Sequence, residues 1–159
     1  MTANFQAPDP GYVARVRNSF RRQQFMSTIG ATLTSVEPGH CTITLPYDEA
    51  ITQQHGFFHG GVIGTIADNA AGYAAYSLMP ADSTVLTVEF KLNLVAPGQG
   101  EALVARADVL RPGRTLTVAQ VHVYACEGDE EMLCATALET LMCLPGKPDE
   151  RVTADEKRA

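Results

Sequence analysis

The stretch HGFFHGGVIGTIADNAAGYAAYSLMP (His55–Pro80) decides how this chain is read. Two glycines, Gly60 and Gly61, open a helical pattern, where free backbone N–H groups can approach a ligand closely. Two turns later the carboxylate of Asp68 interrupts an apolar segment, a costly placement unless something satisfies or uses the charge. At 100° per residue Asp68 shares a helix face with Gly61, Gly64, Thr65, Gly72 and Ala75, while Val62, Ile63, Ile66, Ala70, Tyr73 and Ala74 lie mostly on the other side. Three glycines inside one helix cost about 1 kcal/mol each relative to alanine. Close approach of another backbone or of a ligand is the usual reason. A mid-helix aspartate is most often simply solvated, and glycines often serve only to pack two helices. The His-Gly-Gly start and the lane of small residues turn the reading toward function.

The helix spans Gly60 to about Met79 and stops at Pro80. Downstream, Leu86, Val88, Phe90, Leu92 and Leu94 alternate with Thr87, Glu89, Lys91 and Asn93, so Ser83–Ala96 is a strand with one apolar face. Glu101–Leu110, Thr115–Ala125 and Met132–Leu144 follow as three more strands. Turns at Pro97-Gly98, Arg111–Arg114 and Glu127–Glu131 separate them, a spacing that indicates a meander. Upstream, Ala31–Val36 and His40–Leu45 form two strands about the turn Glu37-Pro38-Gly39, and Pro46–Phe58 reads as a loop. Gly11–Thr28 places Val13, Val16 and Phe20 on one face of a short amphipathic helix. Residues 1–10 and the tail from Pro145 are polar and expected to lack fixed structure. The divisions are therefore 1–28, 29–145 and 146–159. The fold class is α+β: about six antiparallel strands wrapped around one long central helix, because no other element is apolar and long enough to cover the sheet.

The 159 residues make one domain with a real core, and 45% apolar content describes a globular protein. A net charge of −6 argues against nucleic acid or an anionic membrane as the main partner. No leader and no membrane-spanning run are visible, and none of the four cysteines forms a C-x-x-C pair. A reduced, cytoplasmic protein is the expectation. The cysteines fall on strands and read as core; His40 and His122 read as hydrogen-bonded strand histidines. His55 and His59 are spaced as on a zinc-binding helix, yet the stretch is broken by glycines and no third ligand follows. No G-x-S-x-G elbow and no phosphate-cradling glycine loop is present.

The segment HGGVIGTIADN (His59–Asn69) resembles the signature of hotdog-fold acyl-CoA thioesterases of the PaaI-like, phenylacetate-pathway type. The likeness runs from about Phe25 to Leu144 and takes in FKLNLVAPG (Phe90–Gly98) and RPGRTLTVAQVHVY (Arg111–Tyr124). It implies the same fold, a helix wrapped in a sheet, and an enzyme that splits acyl-CoA into an acid and coenzyme A. A thioester needs a donor for its carbonyl oxygen and a base or nucleophile beside it. By resemblance Asp68 is that base or nucleophile, and the Gly60 amide at the helix N-terminus is the donor. Gln53 stands where the family often has Asn. Thr87 stands where Ser is common. His59 is a positioner rather than the base, since the helix N-terminus disfavours a protonated imidazole. Gly61, Phe57, Phe58 and Asn69 are further substrate-binding positions, with Tyr73 and Tyr76 as pocket lining. Arg111 and Arg114 are the candidates for the coenzyme A phosphates.

The resemblance also implies a site shared between two subunits. Gln53 and Gly60 of one chain would face Asp68 and Thr87 of the other, across a homodimer paired through Ser83–Ala96 and able to form a dimer of dimers. No cofactor and no metal are called for. Two other readings stand beside it: an acyl-thioester dehydratase or hydratase, which usually pairs His with Asp or Glu in other motifs, and a non-catalytic acyl-CoA sensor. The basic Arg15, Arg17, Arg21 and Arg22 fit a sensor, but such a protein has no use for a carboxylate beside the thioester.

Overall fold

The computed structural model describes residues 4–147 and 149–150. Helices α1 (Tyr12–Arg21) and α2 (Gln24–Thr28) precede strands β1 (Thr32–Glu37) and β2 (His40–Pro46). A turn of 3-10 helix (Glu49–Ile51) leads to the long helix α3 (Gly60–Tyr76). Strands β3 (Ser83–Leu94), β4 (Ala102–Arg111), β5 (Leu116–Glu127) and β6 (Glu130–Pro145) complete the chain. All six strands join one antiparallel sheet in the order β1-β2-β4-β5-β6-β3.

The sheet curls around α3, which packs against all six strands. Ile63, Ile66, Ala67, Ala70, Ala71 and Ala74 of α3 are buried against Ile43, Leu45, Leu103, Ala105, Ala119, Val121, Val123 and Leu141. The many alanines leave the helix thin enough for the concave sheet to reach it on several sides. Cys41, Cys134 and Cys143 are buried in this core as thiols, and burial pushes the Cys41 thiol up to about 12. The expected α+β architecture, a sheet around a central helix, is what the structure has.

Four local expectations change. Gly11–Thr28 is two helices rather than one, because Gln23 adopts an extended conformation between them. Residues 4–10 are held rather than loose: Phe5 packs beside Gly39 and Leu78, and Asp9 pairs with Arg15 at 2.8 Å. Arg15 in turn donates to the carbonyls of Tyr76 and Met79 at 3.3 and 2.8 Å and lies 4.1 Å over the Tyr76 ring. A cation thus satisfies the orphan carbonyls at the end of α3 and ties α1 to it. The expected meander covers only β4, β5 and β6; β3 crosses over to pair with β6 and forms an edge of the sheet. Residues 148 and 151–159 of the tail lie outside the described residues.

The fourth change is the most consequential. The register of β3 against β6 slips between Thr87 and Glu89. Before the slip Thr87 faces Leu141, and after it Phe90, Leu92 and Leu94 face Glu139, Ala137 and Ala135. One extra residue reverses the phase of the side chains. Thr87 therefore shares the helix-facing side with Phe90 and Leu92. Leu86, which the alternation assigns to the apolar face, points outward and is 57% exposed.

Candidate active site

Asp68 lies half-buried on α3 where the helix meets β3. Thr87 Oγ1 donates to Asp68 Oδ1 at 2.6 Å, and Oδ2 accepts from none of the described residues. The bulge in β3 makes this bond, since without it the Thr87 hydroxyl would face away from the helix. The pair opens onto a cavity of about 890 Å³ bounded by the N-terminal helices, α3 and β3. Asn69, Gly72 and Tyr73 line it from α3, Val85 and Leu86 from β3, and Ser19 and Gln23 from the N-terminal helical segment. A Cβ on Gly72 would meet nothing within 4 Å, so the cavity reaches the helix backbone there.

The polar groups of this wall are arranged. Gln23 Nε2 donates to the Tyr73 hydroxyl at 2.7 Å, with Ser19 Oγ 3.2 Å away. Burial raises the Tyr73 phenol above its ordinary value, with those two hydrogen bonds opposing the rise, so it stays neutral. Asn69 Nδ2 donates to the Thr65 carbonyl at 3.2 Å, and Asn69 Oδ1 is buried with no partner among the described residues. Arg21 and Arg22 also line the cavity, Arg22 paired with Asp149 at 2.5 Å.

A second group gathers at the N-terminus of α3. His59 is the N-cap, and its Nδ1 accepts from the Gly61 N–H at 2.9 Å. A Cβ on Gly61 would stand 3.0 Å from that nitrogen, so glycine is what allows the cap. The Gly60 N–H donates to none of the described residues and remains free at the positive end of the helix. Its missing Cβ faces Leu94 Cδ1 at 3.1 Å. The preceding loop is folded on itself: the Gln53 N–H donates to the Phe57 carbonyl at 2.8 Å, and Gln53 Oε1 accepts from the His55 N–H.

The structure thus brings Asp68, Asn69 and Thr87 together, and separately Gln53, His59, Gly60 and Gly61. Eight residues of helix rise separate Gly60 from Asp68, about 12 Å. One chain does not place both groups on one small reacting centre. Phe58 is buried, edge-on to Tyr47, and Tyr76 is buried beneath Arg15; both belong to the core rather than to the cavity wall. Phe57 stays in the loop, half-buried. Arg111 and Arg114 are exposed about the β4–β5 turn. That turn closes next to the row Leu116–Met142–Leu86, one residue from the row that holds Thr87, but neither arginine lines the cavity.

One ionisable side chain in this region stands outside both expected groups. Glu139 is 0% exposed, and neither of its carboxyl oxygens has a hydrogen-bond partner among the described residues. Burial pushes it up to about 8, and the nearby Asp68 charge adds to the rise. The signal was in the strand: alternation along Leu133–Leu144 puts Glu139 on the same face as Ala137, Leu141 and Cys143, a lone acid on an apolar side.

Residues 55–132 match the thioesterase superfamily. The chain is 30% identical over 107 residues to the 1,4-dihydroxy-2-naphthoyl-CoA hydrolase of Listeria monocytogenes, which covers 67% of this chain and 85% of the relative. A solved thioesterase family protein from Silicibacter pomeroyi is 51% identical and superposes with a TM-score of 0.84, covering 86% of this chain and all of that one. The E. coli PaaI protein, 18% identical, shares the fold at a TM-score of 0.77 over 86% of this chain and 95% of its own. With the curled sheet, the central helix and these relatives together, the chain belongs to the thioesterase superfamily and is a hotdog-fold thioester hydrolase.

Proposed function

We propose that this protein hydrolyses acyl-CoA thioesters at a site built from two copies of the chain. The observation that carries the reading is the hydrogen bond from Thr87 to Asp68 on the wall of a large cavity. It fixes one carboxylate oxygen and leaves the other available. Asp68 Oδ2 takes a proton from water as the water oxygen bonds to the thioester carbon, or itself attacks that carbon. In the first route the carbonyl oxygen becomes an oxyanion, which the free N–H of Gly60 from the second copy stabilises. The C–S bond then breaks and the leaving thiolate takes up the proton held by Asp68; in the second route the thiolate leaves as Asp68 forms a mixed anhydride, which water hydrolyses to the free acid and the regenerated carboxylate. Gln53 of the second copy holds the water through its side-chain N–H₂, and His59 keeps the helix N-terminus in shape.

The 12 Å gap between the two groups supports a second chain. So does β3, an edge strand whose Leu86, Val88, Phe90 and Leu94 are all exposed in a single copy. A bare apolar edge is a liability, and pairing with its own copy across a two-fold axis removes it. The acyl group enters the cavity beside Gly72, Tyr73 and Val85. Arg111 and Arg114, with Arg21 and Arg22 at the cavity, offer cations for the coenzyme A phosphates.

The test is thiol release across a panel of acyl-CoAs from acetyl to palmitoyl, with phenylacetyl and hydroxybenzoyl included, for the wild type and for Asp68→Asn. Release by the wild type with at least about a hundredfold loss in the variant supports the reading. Near wild-type turnover in the variant removes Asp68 from the chemistry. No release from any acyl-CoA removes coenzyme A thioesters as the substrate class.

A further inference from the structure

A completely buried carboxyl group with two unpartnered oxygens is costly, and it persists only where its surroundings use it or keep it uncharged. Glu139 is such a group. It sits on β6 between Phe90 of β3 and Ala119 of β5, and the next residues on its face are Ala137 and Leu141. None of these neighbours carries a charge. The facing helix α3 brings one that does, Asp68. The geometry is close: Leu141 lies opposite Thr87, the donor to Asp68, and Glu139 is two residues, about 7 Å, along the strand from it. Glu139 does not line the cavity, so it lies behind Asp68 rather than in the substrate's path.

We propose that Glu139 is the uncharged, proton-holding partner of Asp68, a positioning residue that keeps the single negative charge of this carboxyl pair on the cavity side. The proposal rests on Asp68 being the reacting carboxylate. Glu139 lies in a dry interior with the Asp68 carboxylate on the facing helix, so a second negative charge there is disfavoured and a proton stays on Glu139. The apolar surroundings of Glu139 hold the proton there. Asp68, with the Thr87 hydroxyl and an open face, is the member of the pair that meets the substrate. As pH rises through about 8, Glu139 ionises, a second charge appears behind Asp68, and the arrangement fails.

Two variants beside the wild type decide it. Glu139→Gln keeps the shape and stays uncharged. It is expected to turn over close to the wild-type rate at neutral pH with unchanged KM, and to lose the wild type's decline in kcat above about pH 8. Glu139→Leu fills the space without a polar group. It is expected to keep KM and, having no group to ionise, to lose the same alkaline decline in kcat. An alkaline limb in Glu139→Gln or in Glu139→Leu identical to that of the wild type would overturn the proposal.

Infrared difference spectra of the wild type give a readout that needs no folded variant and no turnover. A protonated-carboxyl C=O band present at neutral pH and lost on titration through about pH 8 is expected, and absence of that band at neutral pH overturns the pair. The band in a protein that releases no thiol would support the pair while removing Asp68 from thioester hydrolysis, so the two readings fail separately.

Discussion

Thr87 reaches Asp68 across 2.6 Å only because β3 carries an extra residue at Val88. Ahead of the bulge the strand shows Val85 and Thr87 to the helix; past it, Phe90, Leu92 and Leu94. A hydroxyl that simple alternation assigns to the polar, outward side is delivered to the one carboxylate on the facing helix. The bond then orients Asp68 toward the cavity.

Thr87→Val removes the donor and keeps the branched shape. A hydrogen bond to a charged group contributes about 1.5–3 kcal/mol, so kcat should fall about tenfold or more while the fold persists. Steady-state kinetics beside a thermal melt check this. Unchanged kcat would mean that the hydroxyl is a bystander.

A site shared between copies predicts complementation. Gly60→Val places bulk against Leu94 and over the donor N–H, and Asp68→Asn removes the carboxylate; each homodimer should be nearly inactive. Unfolding and refolding the two together yields heterodimers with one intact site. At equal amounts, half the dimers are mixed and each has one site of two, so about one quarter of wild-type activity should return. No recovery would mean that Gly60 and Asp68 do not serve one site across two copies.

His59 caps α3 through Nδ1 to the Gly61 N–H. His59→Ala should lower stability by about 1 kcal/mol, the usual cost of losing an N-cap, measured by urea unfolding. If KM rises with no change in stability, His59 contacts substrate instead.

The buried acid gives a pH signature in stability. Glu139 stands near 8 in the folded protein against 4.5 ordinarily. Between those values the folded protein holds a proton that the unfolded chain has released, so stability falls as pH rises, by up to about 1.4 kcal/mol per unit. Below the lower value both states are protonated, and above the upper one both are ionised, so the slope vanishes. Glu139→Gln removes this contribution and should gain on the wild type steadily across that window in urea unfolding. A difference that stays flat with pH would show that Glu139 is not held neutral.

Much of this was legible beforehand. The run of alanines and glycines around Asp68 announced a thin central helix, and α3 starts at Gly60, where His-Gly-Gly places it. All six strands follow from alternation and turn residues, because burial on one face enforces a period of two. The place of β3, at the edge beside β6, does not follow from the pattern. Pairing across a crossover leaves no local mark in the chain. The break at Gln23 and the anchoring of Phe5 were hidden for the same reason, since their partners Tyr73, Gly39 and Leu78 lie on distant segments.

The amino-acid pattern by itself determined the element types, the central position of α3, and Asp68 and Gly60 as the residues to watch. Those follow from local periodicity and from the cost of a charge or a bare glycine inside a helix. Tertiary structure decided which face of β3 Thr87 occupies, that a cavity lies between the N-terminal helices and Asp68, and that Glu139 stands unpartnered behind it. A register slip, a wall made by remote helices and the desolvation of an acid all depend on what packs across the sheet, and no neighbour in the chain specifies that.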